Sequence, residues 1–161
     1  MPAPATGMQA LKSSCAHIMR TLGTGHREAV YHAALITSLN KAHTFHRSEV
    51  VCAITYLGQT IGFGRADIVI DDLVVELKAT TTPPSRVSGQ LRKYVESLTR
   101  SEAQPFRGVV INFNQRTAKV DIYEEEEMCV PPPRPLTTVF ERSLRAPTRL
   151  VNGALFKRPH R

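Results

Sequence analysis

Three side chains that could do chemistry flank one short turn in the middle of the chain. Asp67 precedes the turn at Asp71 and Asp72, and Glu76 and Lys78 follow it. If the flanking runs pair as a hairpin symmetric about this turn, Asp67 faces Glu76, and facing residues have Cβ atoms about 4.5–5.5 Å apart. Two carboxylates at that distance repel each other unless a cation lies between them. One ammonium group is available, but two acids and one lysine suit a hard divalent metal ion better.

The apolar residues of the same two runs determine how this hairpin pairs. Successive strand side chains alternate between faces, so one face is almost wholly apolar and the other carries the charges. A slip of one residue would exchange the faces, so the register is strongly specified. A simpler interpretation stays open, in which the charged face is solvated and Lys78 only pairs with Asp67. The apolar face holds Ile68, Ile70, Leu73, Val75 and Leu77, and the charged face holds Asp67, Val69, Val74, Glu76 and Lys78.

Two amphipathic helices are predicted before the hairpin. Residues 8–22 carry apolar side chains at helical spacing, and Gly23 is expected to end this helix. A second helix is expected over residues 26–40, with Thr24 as its N-cap. The apolar side predicted for the second helix consists of Val30, Ala33, Ala34 and Leu39.

The other segments predict five strands and one further helix. Gly58 and Gln59 are expected to form the first hairpin turn, and Gly62 and Gly64 could mark a bulge or bend in the second strand. The further helix has an apolar stripe of Val87, Leu91, Val95 and Leu98. The element order is therefore α-α-β-β-β-α-β-β, which predicts one mixed α/β (α+β) domain. The predicted strands are 49–57, 60–70, 73–79, 107–114 and 117–123, and the helix is 85–100.

Two further residue pairs each share a helix face near the hairpin. Glu28 and Tyr31 are three residues apart on the second helix, and Gln90 and Tyr94 are four apart on the helix after the hairpin. Each has a simpler interpretation. Glu28 could only stabilise the positive end of its helix dipole, Gln90 could be a surface residue, and Tyr94 could lie at the edge of the core.

Composition and charge limit the classes of function. The chain has 161 residues and a formal net charge of +7. Of this charge, +6 comes from residues 128–161, with seven basic residues against Glu141, and +1 comes from the rest. No apolar run approaches the roughly 20 residues of a membrane span, and no signal peptide is evident. Three scattered cysteines form no C-x-x-C pair, which argues against a zinc site or disulfides and favours an intracellular setting.

Several of these segments together resemble a known family. Residues 25–31, GHREAVY, match the pattern that names the GxxExxY proteins, which are placed in the PD-(D/E)XK nuclease superfamily near its RecB-like branch. Residues 65–70 with 75–79, RADIVI and VELKA, resemble the D…(D/E)xK core of that superfamily. Residues 90–94, QLRKY, resemble the QxxxY helix of the RecB-like branch, and residues 111–114, INFN, resemble an "INFG"-type strand end. The resemblance covers residues 11–123.

The resemblance implies a restriction-endonuclease-like mixed sheet flanked by helices, and it implies roles for individual residues. Mg²⁺ or Mn²⁺ would be bound by Asp67, Glu76 and the backbone carbonyl of Leu77, with Glu28 joining directly or through water. Lys78 would orient or help deprotonate the attacking water and offset the charge that develops on phosphorus. The residues expected to position the substrate are Gln90, Tyr94 and Tyr31.

The function that the resemblance implies is metal-dependent hydrolysis of phosphodiester bonds in DNA, with RNA less favoured. The alternative is a structural or assembly subunit, such as a virion component, because relatives occur in bacteria and in large DNA viruses. We expect a lead-in at residues 1–7, a domain at 8–123, and an acidic, proline-rich linker followed by a basic tail at 124–161. In either case residues 128–161 are expected to bind nucleic acid or a protein partner.

Overall fold

The protein is represented by a computed structural model that describes residues 6–82 and 89–124. The predicted element order is confirmed. Over these residues, the elements are α1 Gly7–Leu22, α2 Glu28–Lys41, β1 Arg47–Tyr56, β2 Gln59–Ile70, β3 Leu73–Lys78, α3 Gly89–Glu102, β4 Arg107–Asn114 and β5 Lys119–Glu124. The predicted first turn of α3 with Val87, residues 1–5 of the lead-in, and the linker and tail after Glu124 lie outside the described residues.

The first helix begins earlier than predicted because its start is capped. The Thr6 hydroxyl accepts from the Gln9 backbone N–H, and the Gln9 side chain accepts from the Thr6 N–H, which is a reciprocal capping box. The Gly7 N–H also donates to Asp71 Oδ2 at 2.7 Å. Thr6 and Gly7 therefore belong to the fold and not to a flexible lead-in. The helix ends as predicted at Gly23, whose φ of 70° suits a residue without a side chain.

The second helix buries only part of the apolar side that was predicted for it, namely Leu39 with partial burial of Ala34. Its buried residues are Tyr31, Leu35 and Leu39, whereas Val30 is exposed. The N-cap is Arg27, which makes no side-chain capping bond, so the prediction of Thr24 as the cap was wrong. Leu39 belongs to both sets, and the buried side is completed by the larger side chains of Tyr31 and Leu35 in place of Val30.

The strands form one sheet with the order β1-β2-β3-β4-β5 in the part of the chain that the structure describes. The predicted central register is confirmed, since Ile70 pairs with Leu73 and Ile68 with Val75. β3 then pairs with β4 in parallel, and the crossover between them contains α3, as a parallel connection requires. All other neighbouring pairs are antiparallel.

The first hairpin differs from the prediction by one residue at its turn. The turn residues are Leu57 and Gly58, and Gln59 already pairs with Tyr56. The register shifts where Ile54 pairs with Gly62 and the following Thr55 pairs with Thr60. The irregularity predicted near Gly62 is therefore present. At the other end of the sheet, β5 begins two residues later than predicted, after a turn over residues 115–118.

Helices cover both faces of the sheet, and each face has its own core. The α1 and α2 side receives the predicted apolar row, Ile68, Ile70, Leu73, Val75 and Leu77. The α3 side receives Val69 and Val74, together with Leu91, Tyr94, Val95 and Leu98 of the helix. No helix in the described residues is long and apolar enough to span a membrane. The predicted mixed α/β class is confirmed.

Candidate functional site

Asp67 lies where β2 separates from β3. The pairing of these strands ends at Ile68 and Val75, and the Asp67 carboxylate instead accepts a hydrogen bond from the Leu77 N–H, 2.7 Å from Oδ2. Ala66 and Val69 both contribute to the α3-side core, so strict alternation is interrupted between them. Alternation predicted that Asp67 and Glu76 simply share one face of the sheet. The structure instead directs the Asp67 carboxylate at the backbone of β3.

Glu76 and Lys78 form the second part of the site, on β3. The Lys78 ammonium donates to Glu76 Oε1 at 2.8 Å. The Glu76 side chain is only 12% exposed, so this ion pair lies in a partly desolvated setting. The simpler interpretation of the sequence paired Lys78 with Asp67, but the direct salt bridge is made with Glu76.

Glu28 reaches the same place from the first turn of α2. Partial burial raises the pKa of its carboxyl, the nearby Lys78 ammonium opposes this, and the negative charges of Asp67 and Glu76 raise the pKa further. Such mutual effects require that the charges lie close together. The structure thus brings together all four residues that the sequence selected for chemistry.

The pKa shifts of Asp67 and Lys78 reflect both burial and the neighbouring charges. Burial raises the pKa of Asp67, opposed by the hydrogen bond from Leu77 and by the charge of Lys78. For Lys78, burial lowers the pKa, but the hydrogen bond to Glu76 and the charges of all three carboxylates outweigh it, and the net shift is upward. Three acids around one ammonium group leave negative charge that one further cation could balance.

His32 is a member of this group that the sequence interpretation missed. Its Nε2 lies 3.2 Å from the Asp67 carbonyl oxygen and 4.0 Å from Glu49 Oε1. Because a carbonyl oxygen only accepts hydrogen bonds, Nε2 must carry the hydrogen in this contact. The signal available in the sequence was its position one turn after Glu28, on the same helix face.

Gln90 and Tyr94 meet, as their spacing predicted, and they hold α3 against β2. The Gln90 amide donates to the Tyr94 hydroxyl. The Tyr94 ring lies directly over Gly64, where an added Cβ would be 2.8 Å from the ring carbon Cζ. Gly64 is thus required by close packing, and it lies three residues before Asp67 on β2.

Tyr31 is placed in the interior. It is 0% exposed and stacks on Phe113 with ring centroids 4.4 Å apart. Its hydroxyl donates to the Gly23 carbonyl at 2.8 Å and accepts from the Gln115 amide. In this arrangement the side chain has no exposed surface with which to contact a substrate, although the sequence predicted a substrate-positioning role. Tyr31 instead fixes the loop that leads to Glu28.

The donor atoms of the site fit a hard divalent ion. Carboxylate and backbone carbonyl oxygens are the ligands that Mg²⁺ prefers, and Asp67, Glu76, Glu28 and the Leu77 carbonyl supply this chemistry. As the side chains lie, no three histidine, cysteine or acidic residues among 6–82 and 89–124 are grouped closely enough to hold a metal. Two of the acidic groups are engaged with Leu77 and Lys78, so binding would require these side chains to adjust.

Comparison with known proteins assigns the family. A family model described as the PD-(D/E)XK nuclease superfamily matches residues 6–124, well over half of the chain. The chain belongs to the PD-(D/E)XK nuclease superfamily. The match runs from the N-cap of α1 to the last residue of β5, and the sheet with its three described helices is consistent with the restriction-endonuclease-like fold. No curated protein and no solved structure matches the chain.

Membership in the superfamily suggests a general class of function for the chain. Superfamily members are usually nucleases that generally use divalent metals, which suggests a nuclease-like function and nucleic-acid binding for this chain. The segment Glu76-Leu77-Lys78 has the (D/E)XK form in the superfamily's name. This PD-(D/E)XK chain places the segment on β3, beside Asp67 at the end of the β2–β3 pairing.

Proposed function

We propose that the chain is a metal-dependent nuclease that hydrolyses phosphodiester bonds of DNA, with RNA the less favoured substrate. Within the superfamily we infer that it is a GxxExxY protein of the RecB-like branch. The observation that supports this most directly is the convergence of Glu28, Asp67 and Glu76 on Lys78. A purely structural domain gains nothing from three neighbouring carboxylates, because like charges in a partly buried site are destabilising.

The residues that would hold the metal ion are Asp67, Glu76 and the Leu77 carbonyl, with Glu28 joining from α2. When bound, a dication would polarise the phosphate and supply hydroxide near neutral pH. Burial raises the pKa values of Glu28 and Asp67, so keeping both carboxylates ionised in this site costs free energy. A bound Mg²⁺ or Mn²⁺ ion would offset that cost.

Lys78 is proposed to act through its positive charge. Burial lowers its pKa, but the hydrogen bond to Glu76 and the charges of the three carboxylates outweigh burial, so the side chain carries an ammonium group. It can donate hydrogen bonds to the attacking water and to the phosphoryl oxygens, where negative charge develops as the water adds. These two actions are orientation of the water and charge stabilisation, and help with deprotonation of the water is the third role that the resemblance implied.

Two residues are proposed to position the others. His32 joins α2, which carries Glu28, to the Asp67 backbone at the end of the β2–β3 pairing. Tyr94 and its partner Gln90 hold α3 against Gly64 and also remain candidates for contact with the nucleic-acid backbone. Nearby exposed cations on α3 that could contact phosphates are Arg92, Lys93 and Arg100.

The deciding experiment measures cleavage by the full chain. Purified protein is incubated with Mg²⁺ or Mn²⁺ and with linear duplex, circular, single-stranded DNA and RNA substrates. We expect metal-dependent cleavage that falls by about 100-fold or more in Glu76→Gln and Lys78→Met. Glu96→Gln, which changes an exposed acid on α3, is the matched control and should retain activity.

A second measurement separates the nuclease from a structural or assembly subunit, for which the described residues provide no specific support. We expect Mn²⁺ to raise the melting temperature of the wild-type chain, because a ligand that binds only the folded state stabilises it. The rise should be lost in an Asp67→Asn/Glu76→Gln variant. Absence of both cleavage and a metal-dependent shift in the folded wild-type chain would contradict the proposal and favour a structural role.

A further inference from the structure

The β1–β2 hairpin exposes large apolar side chains on the face that points away from α3. Cys52 lies in the α3-side core and Gly64 lies against Tyr94, so these two residues face the helix. Because strand side chains alternate, Val51 and Phe63 project from the opposite face, where they are 57% and 71% exposed. We define the hairpin patch as these two residues with the exposed apolar residues near the tip: Val51, Tyr56, Leu57, Ile61 and Phe63.

The hairpin patch is large for the surface of a monomer. A large aromatic side chain covers about 150–250 Å², so five mostly exposed residues present roughly 500–700 Å² of apolar surface. The largest patch on a typical monomer is about 300–600 Å² and often functional. A standard protein–protein interface uses about 800 Å² from each partner. The patch therefore has nearly the area that one side of a stable contact needs.

The charges beside the patch indicate what kind of partner fits it. Arg65 is opposite Val51 in the strand register, and its Nη1 lies 3.6 Å from Glu49 Oε2. One base and one acid next to an uncharged centre give no net attraction for a polyanion, which would need clustered cations. The same arrangement is self-complementary under two-fold rotation, because the base of one copy can face the acid of the other.

We propose that the hairpin patch is the contact surface for a second copy of this chain, in a two-fold symmetric dimer. Phe63 packs near the centre of the contact, and Arg65 of each copy faces Glu49 of the other. The contact is made by sheet faces and not by continuing the sheet at β1. Glu49 has a φ of 53° and the register shifts after Ile54, and such irregularities hinder pairing along an edge strand.

The first test is the molar mass of the full chain in solution. Sedimentation velocity and light scattering between about 1 and 100 µM should show a dimer that dissociates on dilution, with a Kd in the micromolar range or tighter. Phe63→Glu should weaken it about tenfold or more, because it introduces a charge at the centre of the contact. Phe45→Glu changes a residue that is 81% exposed and outside the patch, and it should leave the dimer intact. Circular dichroism verifies that each variant is folded.

The second test separates contacts between copies from contacts within one. In a dimer of the Arg65→Glu variant, two acids would face each other at each contact. In a dimer of the Glu49→Arg variant, two bases would face each other. Each variant alone should therefore be mainly monomeric. An equimolar mixture should dimerise, because both facing pairs are then oppositely charged. A wild-type chain that stays monomeric, a Phe63→Glu variant that dimerises normally, or a mixture that stays monomeric would each overturn the proposal. Monomeric wild-type chain would assign the patch to a different partner.

Discussion

At the scale of single residues, the geometry of the site depends on two hydrogen-bonding contacts of Asp67. Its carboxylate bonds to the Leu77 N–H and its carbonyl lies against His32, so two side-chain contacts hold it where strand pairing ends. The strand register passes over Asp67 on both sides, so neither Glu49 of β1 nor Glu76 of β3 is paired with it. The metal ligand that we propose at this position needs support from outside the strand ladder, and His32 contacts it from α2.

Replacing His32 tests this support. We expect His32→Leu to lower kcat about 10- to 100-fold, as is typical when a residue that orients a ligand is removed, with a much smaller change in KM. His32→Gln should restore most of the activity, because its amide can still donate to the Asp67 carbonyl. His26→Leu is a matched control, since His26 Nε2 also lies 3.2 Å from a backbone carbonyl, that of Leu22. An unchanged kcat in His32→Leu would show that Asp67 is positioned without it.

The sequence predicted which acids meet, but not how Asp67 is oriented. Alternation and a two-residue turn were enough to pair Ile68 with Val75 and to separate apolar from charged residues. The interruption at Asp67 depends on where β2 leaves β3 to follow β1, which is a tertiary property without a local signal. Similarly, the helical spacing in α2 allowed two apolar sides, and only packing against the sheet selected Tyr31, Leu35 and Leu39 over Val30.

At the scale of elements, the position of α3 against β2 depends on a glycine. Gly64→Ala should lower the free energy of unfolding by about 1–3 kcal/mol, because the new methyl group collides with the Tyr94 ring. Gly62→Ala is the control on the same strand, since no atom lies within 4 Å of its added Cβ. Urea denaturation measures both variants. In a double-mutant cycle with Tyr94→Ala, the cost of Gly64→Ala should largely disappear, and a fully additive result would exclude the collision as its cause.

A salt bridge joins the central turn to the start of β4. Arg107 donates to the Asp72 carboxylate, with Nε 2.7 Å from Oδ2, and this hydrogen bond lowers the pKa of Asp72. A group with a lowered folded-state pKa contributes stability above its unfolded-state pKa and loses it as pH falls through the folded-state value.

We therefore expect Asp72→Asn to lower the free energy of unfolding at pH 7. The decrease should be about 0.2–1 kcal/mol, because the pair is largely exposed. The difference from the wild-type chain should shrink as pH falls below about 4, the ordinary pKa of an aspartate, and it should also shrink at high salt. Urea denaturation at several pH values measures this. A difference that grew on acidification would contradict the assignment.

At the scale of the whole molecule, the positive charge is densest outside the part of the chain that matches the family. The family match ends at residue 124, whereas residues 128–161 carry +6 of the net +7 charge. The matched residues 6–124 hold 14 basic and 10 acidic residues, a net charge of +4 that is spread over a much longer segment. We infer that the basic segment contributes much of the electrostatic attraction to nucleic acid, a term that is insensitive to sequence and strongly dependent on salt.

Removing residues 128–161 should weaken binding of the chain to duplex DNA and reduce the slope of log K against log salt, by about 0.9 for each phosphate that the segment neutralises. The melting temperature of the remaining domain should change little. Fluorescence anisotropy at several salt concentrations and a thermal melt provide these readouts. A version of the full chain with the seven basic residues of this segment changed to glutamine controls for length. A truncated chain that fails to fold would show that the segment belongs to the domain.

The parallel pairing of β3 with β4 has a consequence for when the site can form during synthesis. Leu73 pairs with Arg107, and the helix α3 must be made between them. Every acid of the site, and Lys78 with them, is synthesised before β4, which is one of the two strands that flank β3. A partly synthesised chain therefore carries these groups before β3 is paired on both sides, and we expect the proposed activity towards nucleic acid only after β4 has been made.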